Sequence, residues 1–150
     1  MTEISFRAAT LEDVPAVLDL LRDDALGATR EGAELARYED AFRAMEAEGA
    51  NSLLVGVVGE DIVATCQLVF ISGLSLRAAR RAQIEGVRVR SDLRGQGYGE
   101  ALLAEVERRA RDAGCSLIQL TMNKSRTDAH RFYTRVGFTP SHIGFKRDLT

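Results

Sequence analysis

The chain has 150 residues, 45% of them hydrophobic and 28% charged, with a formal net charge of −2. That length and balance describe one globular domain with a real core and exclude a disordered chain; no apolar run approaches the roughly 20 residues that span a bilayer. The charge is uneven, with 5 Arg and 12 acidic residues in positions 1–50 and a local charge of −7, against +5 over the remainder, a split that draws an amine to the first third and a polyphosphate to the rest.

Ile4-Ser5-Phe6-Arg7 alternates and predicts a first strand, and Thr10 is placed to cap a helix with Asp13 three residues on. Leu11, Val14, Val17, Leu18 and Leu21 keep helical spacing, so helix one is expected to end near Asp24. Gly27 and Gly32 bracket an expected loop, and Leu35, Tyr38, Phe42 and Met45 mark a second helix closed by Gly49. Residues 52–58 and 62–71 read as two strands joined through Gly59-Glu60-Asp61, and residues 81–90 as the third member of the meander. Leu102, Leu103, Val106, Ala110 and Ala113 then form one apolar helical stripe with Glu105–Arg109 and Glu107–Arg111 pairs, ended by Gly114. Residues 116–121 read as a buried strand, parallel to its predecessor through a right-handed crossover. A fourth helix, capped by Thr127 or Asp128 and stopped by Gly137, precedes closing strand residues at Phe138 and Ile143-Gly144-Phe145. The order β-α-α-β-β-β-α-β-α-β is a mixed α/β sheet in a single domain, residues 1–150.

Cys66 and Cys115 sit in apolar segments without metal-type spacing and read as free thiols, and His130 and His142 lack a third well-spaced ligand. No metal is expected. Few aromatics and no basic stripe argue against nucleic acid. Residues 1–13 carry no basic-then-apolar leader pattern, so a cytoplasmic protein, not attached to a membrane, is expected.

The stretch Arg94-Gly95-Gln96-Gly97-Tyr98-Gly99 lies between a strand and a helix. Glycines at alternate positions let successive N–H groups converge, and the helix start adds its own donors and positive dipole end, so an anion is expected there. A Walker A loop would need Gly-Lys and then Ser or Thr, whereas here Glu100 follows Gly99. A dinucleotide fingerprint would need an acidic residue after the next strand, which runs Leu117-Ile118-Gln119-Leu120-Thr121-Met122. An ordinary tight turn is the remaining structural reading.

Arg94-x-x-Gly97-x-Gly99 resembles the pyrophosphate loop of the GCN5-related N-acetyltransferases, and Ala129-His130-Arg131-Phe132-Tyr133-Thr134-Arg135-Val136-Gly137-Phe138 resembles the Ala-x-x-Phe-Tyr-x-x-x-Gly-Phe segment of that superfamily. The likeness covers residues 83–146 well and the first third loosely. Asp128 to Tyr133 followed by Ser141-His142 looks like the aminoalkylphosphonate N-acetyltransferase type and its uncharacterised relatives.

The resemblance implies the fold of that superfamily, acetyl-CoA as co-substrate, and a homodimer. It implies transfer of acetyl to the primary amine of a small molecule, by direct attack in a ternary complex. Donor contacts then fall to Val87, Arg88, Val89, Arg94, Gly95, Gln96, Gly97, Tyr98, Gly99, Glu100 and Tyr133. Where many relatives carry an Asn that binds the pantetheine, this chain has Arg126, so Asn123 or Arg126 is expected to substitute. Glu85, set on the face of Val87 by strand alternation, is the candidate base, and Tyr133 the candidate acid for the departing thiolate. Bland readings stand beside both: a carboxylate that only binds the substrate cation, and a packing tyrosine. Asp24, Glu31 and Tyr38 are candidates on the acceptor side. Two alternatives stay open, a non-catalytic acyl-CoA sensor or regulator and an enzyme acting on a protein amine.

Overall fold

A computed structural model describes residues 3–150 and divides the chain into two units, residues up to 119 and residues 120–150. In the first unit, β1 (Ser5–Ala8) leads through a 3-10 turn (Leu11–Asp13) into α1 (Val14–Arg22), α2 (Ala25–Arg30) and α3 (Leu35–Ala47). Then come β2 (Asn51–Val58), β3 (Asp61–Ile71), the single turn α4 (Ser75–Ala78), β4 (Arg81–Val89), α5 (Tyr98–Asp112) and β5 (Leu117–Leu120). The strands form one sheet in the order β1-β2-β3-β4-β5.

The β1–β2, β2–β3 and β3–β4 pairs are antiparallel. At the other side, Ser116 N–H donates to the Arg80 carbonyl at 2.9 Å and the Gln119 side-chain amide donates to Gln83 at 2.8 Å. Both contacts advance in the same direction along the chain, so β5 runs parallel to β4 and the sheet is mixed.

Burial on both faces of β3 explains why its sequence reads as a continuous apolar run: Val63, Ala64, Thr65 and Cys66 are all 0–1% exposed. One face carries Cys66, Leu68 and Ile84 and lies under α5, whose Leu102 and Val106 are fully buried. The other meets α1 and α3 through Val14, Leu18 and Phe42, with Leu53 packed against them. Thr65, the buried polar side chain on this strand, donates its hydroxyl to the Leu54 carbonyl at 2.8 Å. Burial pushes the Cys66 thiol up to about 12 against the opposing effect of Arg109, so Cys66 stays a thiol and packs as an apolar group.

Two expectations are corrected in this unit. The segment bracketed by Gly27 and Gly32 is not loop but contains α2, started by Asp24, whose carboxylate accepts the Gly27 N–H. Gly27 is there for close approach, since a Cβ on it would lie 1.8 Å from the Leu21 carbonyl oxygen. Helix α1 correspondingly ends at Arg22 rather than near Asp24. In the loop after β3, Leu76, Arg77 and Ala78 all have positive φ, a left-handed turn that L-residues adopt only at a cost. Arg80 braces that loop by donating to the Ser72 hydroxyl at 2.9 Å and lying 5.3 Å over the Phe70 ring.

In the second unit, α6 (Thr127–Arg135) ends at Gly137 with φ +102°. Neither Thr127 nor Asp128 caps it; Arg126 holds the N-cap position, and Asp128 instead pairs with Arg131. Phe132, Tyr133 and Phe138 pack edge to face. The expected closing strand is absent among the described residues: 138–150 belong to no strand, and Ile143 and Phe145 are exposed.

Candidate functional site

The loop between β4 and α5 is built by two left-handed glycines. Gly95 has φ +79° and Gly97, the N-cap of α5, φ +86°. A Cβ on either would meet nothing within 4 Å, so glycine serves the backbone path here and the space over the loop is open. Ala101 N–H to the Gly97 carbonyl, 3.0 Å, is the opening rung of the helix. The N–H groups of Gln96, Gly97 and Gly99 lie ahead of that rung, at the positive end of a 15-residue helix. This cradle fits the pyrophosphate of a coenzyme A thioester.

Asp23, just past α1, holds the root of the loop. Its carboxylate accepts from the Ser91 N–H at 2.7 Å and the Ser91 hydroxyl at 2.9 Å, and its carbonyl accepts from the Arg94 guanidinium at 3.3 Å. Sequence reasoning missed this residue, because an acidic pair after a helix reads as a solvated end. Arg94 is therefore engaged from below, in addition to any anion it meets.

Next to Ser91, Arg90 and Asp92 form a bidentate pair at 2.7 and 3.3 Å, and the guanidinium holds the Asp92 carboxyl below the usual carboxylate range. A cavity of about 460 Å³ opens beside this pair, lined by Asp19, Leu20, Asp23, Ile62 and Asp92 among others. Its acidic wall does not suit a polyphosphate, and the loop glycines do not line it.

A bulge interrupts β4. Glu85 pairs with Gln67 and Arg88 with Thr65, so Gly86 and Val87 together stand opposite the single Cys66. Gly86 has φ +60°, and a Cβ there would touch Leu21 at 3.6 Å. Alternation predicts Glu85 and Val87 on one face; the extra residue ends that alternation and makes Glu85 and Arg88 face-mates instead. Glu85 is exposed, and Val87 and Val89 are half-buried. The Val87 carbonyl accepts from the Arg88 guanidinium at 2.9 Å, while Arg88 Nε stands 3.4 Å from the Asp24 carboxylate.

Arg88, expected on the donor side, and Asp24, expected on the acceptor side, thus meet in a half-buried ion pair. Glu31 and Tyr38 also come together: the phenol donates to Glu31 at 3.0 Å and accepts from the Gly32 and Ala33 N–H groups at 3.1 and 3.4 Å, tying the α2–α3 connection. Tyr98 is buried and Glu100 exposed in the first turn of α5. In the second unit, Tyr133 lies half-buried on α6, with its ring 5.3 and 5.7 Å from those of Phe132 and Phe138. Asn123 accepts from the Ser125 N–H and hydroxyl at 3.0 and 2.7 Å and presents its carbonyl to the Arg126 N–H at 2.9 Å, forming the turn before that helix.

Comparison with known proteins agrees with the fold. The chain is 45% identical over 67 residues to the aminoalkylphosphonate N-acetyltransferase of Salmonella typhimurium, a stretch covering 45% of this chain and 44% of that enzyme. An uncharacterised N-acetyltransferase of Bacillus subtilis is 40% identical over 57 residues, 37% of this chain and 40% of that protein. The matched stretches thus span less than half the length of these curated relatives. Among solved structures, a transcriptional regulator from Bacillus halodurans superposes with a TM-score of 0.93 at 41% identity, covering 98% of this chain and 100% of that one. The profile of the acetyltransferase (GNAT) family matches residues 14–138, and the chain belongs to that family.

Proposed function

We propose that the protein transfers the acetyl group of acetyl-CoA to the primary amine of a small molecule, by direct attack in a ternary complex. The observation that carries this reading is the loop from Arg94 to Gly99, whose left-handed Gly95 and Gly97 aim main-chain N–H groups ahead of α5. When bound, acetyl-CoA supplies an acyl group activated as a thioester. The chain's own contributions are four. The N–H groups of residues 95–99 hold the pyrophosphate. Val87 to Val89 and Asn123 or Arg126 position the pantetheine arm. The Glu85 carboxylate receives the proton of the acceptor ammonium, directly or through water. The Tyr133 hydroxyl gives its proton to the departing sulfur. The 45% identity to an aminoalkylphosphonate N-acetyltransferase supports a small, charged amine as acceptor. We further read the protein as a cytoplasmic homodimer without nucleic acid, membrane or metal as partner; among the described residues no helix is long and apolar enough to cross a membrane.

A second reading, a regulator that binds acyl-CoA without catalysis, is favoured by the 41% identity to a chain solved as a transcriptional regulator. Release of free CoA thiol from acetyl-CoA across aminoalkylphosphonates, polyamines, amino sugars, amino acids and a lysine peptide separates the two. Saturable turnover with one class supports the enzyme and names the acceptor. Silence across the panel, with acetyl-CoA binding intact by calorimetry, sinks the enzymatic reading on these amines and favours the regulator.

A further inference from the structure

The strand register frames one apolar side chain with polar ones. Leu53, Gln67 and Glu85 stand opposite one another across β2, β3 and β4, and Asn51, Val69 and Gln83 form the next row. Opposed residues of an antiparallel pair share a face, as do residues two apart on one strand. These side chains therefore lie on the face where Leu53 packs against α1 and α3. Val69 is the floor, with Asn51, Gln67, Gln83 and Glu85 around it; Glu85 is exposed and the others are half-buried.

The carboxamides of this frame are held in one direction. The Glu48 carboxylate only accepts, and it takes a proton of the Asn51 amide at 2.8 Å; the Asn51 oxygen in turn accepts from Gln67 at 2.8 Å. Gln67 Oε1 is left over as an acceptor. From the other side Gln119 donates to Gln83 Oε1 at 2.8 Å, which leaves Gln83 Nε2 as a donor. Among the described residues no protein group occupies either atom. Gln67 and Gln83 are diagonal neighbours, with Cβ atoms about 7–8 Å apart and within reach of long side chains, so both can meet one oxygen above Val69.

We propose that this frame selects an acceptor amine of the amino alcohol class. The inference deepens, and rests on, the acetyl-transfer reading above. Glu85 holds the ammonium and Val69 carries the intervening carbons, while the hydroxyl donates to Gln67 Oε1 and accepts from Gln83 Nε2. A hydroxyl does both; an oxyanion only accepts, and would face the Gln67 oxygen and the Glu85 carboxylate. Opposed side chains stand about 5 Å apart, so about two or three carbons separate the nitrogen from the oxygen. Asn51 and Gln119 are positioning residues, which turn the two working amides.

Initial rates of CoA thiol release test this on the full chain, comparing 2-aminoethanol with propylamine and 3-aminopropan-1-ol with butylamine, with 2-aminoethylphosphonate as the oxyanion arm. The wild type should favour each alcohol over its alkyl counterpart by at least about tenfold in kcat/KM, because an amine without the hydroxyl leaves both amides unpaired. Gln67→Leu, and separately Gln83→Leu, should bring that ratio toward one. A merely structural role of either glutamine would lower both rates together and leave the ratio unmoved. Equal wild-type rates for alcohol and alkylamine, a preference for the phosphonate over both alcohols, or a ratio untouched by either leucine overturns the inference and leaves the acetyl-transfer reading standing. Silence on every amine, with acetyl-CoA binding intact by calorimetry, overturns both.

Discussion

The Asp23 carboxylate accepts from both the main-chain N–H and the hydroxyl of Ser91, at 2.7 and 2.9 Å, tying the end of α1 to the root of the glycine loop. Removing the carboxylate in Asp23→Ala frees that root from Ser91, while the main-chain carbonyl that meets Arg94 remains. Two hydrogen bonds on a partly exposed group are worth about 1–2 kcal/mol, so the dissociation constant for acetyl-CoA should rise about tenfold. Calorimetric titration reads it directly, and an unchanged constant would mean that the loop holds its shape unaided.

Gly97→Trp acts on the loop itself. At φ +86° any side chain is strained by about 1–2 kcal/mol, and the indole adds bulk in the open space where the anion is expected. Acetyl-CoA affinity should fall by about 100-fold or more, well beyond the effect of Gly97→Ala, which carries the strain without the bulk. Equal affinities for the two variants would remove the loop as the donor site.

The two proton-handling side chains separate by kinetics. Tyr133→Phe should lower turnover by about 10²-fold or more with little change in donor affinity. Normal turnover would leave Tyr133 as packing between Phe132 and Phe138. Glu85→Gln should depress activity most at the acidic end of the pH profile, where the amine is chiefly protonated; a profile of unaltered shape would dismiss Glu85 as the base.

Asp13 carries an acid-sensitive part of the stability. The Arg7 guanidinium at 2.6 Å, and after it the Thr10 main-chain and hydroxyl donors, hold its carboxyl down at about 2 from an ordinary 3.8, against the opposing desolvation. A depressed folded-state value means that the contribution is complete above about pH 4 and is lost as pH falls toward 2. It amounts to about 1–2 kcal/mol once screening at the half-exposed Arg7 is allowed for. Asp13→Asn should therefore melt lower at pH 7 and show a flatter decline between pH 4 and 2. Parallel acid melting curves for the two proteins would refute the assignment.

Much of the fold is readable in periodicity. The β2–β3 hairpin, the apolar stripe of α5 and the glycine loop follow from local spacing and turn chemistry. What escapes is tertiary. Gly27 reads as a loop marker, but its reason is the Leu21 carbonyl across a helix junction. The bulge at Gly86 and Val87 is invisible to a period-two reading and becomes apparent only in the register against Cys66. Thr127 and Asp128 are both good cap types, but α6 begins at Thr127 itself, which puts both inside the helix. Asp23 matters through Ser91, 68 residues away, a relation no local window contains. The residues at 143 and 145 alternate as a strand should, yet among the described residues 138–150 pair with no strand, because alternation alone supplies no partner edge.

The sheet's connectivity has a kinetic consequence. β2 and β3 are neighbours in sequence and join through a two-residue turn at Gly59 and Glu60, whereas β1 meets β2 across 52 residues, from Ser5 to Val57. Loop-closure entropy makes the β1 pairing about 2 kcal/mol costlier to initiate than the hairpin. The hairpin and the helix that covers it are thus the cheapest nucleus. The edge strand β1 is therefore expected to pair after the hairpin, and pulse-labelled hydrogen exchange should protect the β2–β3 amides before those of residues 5–8.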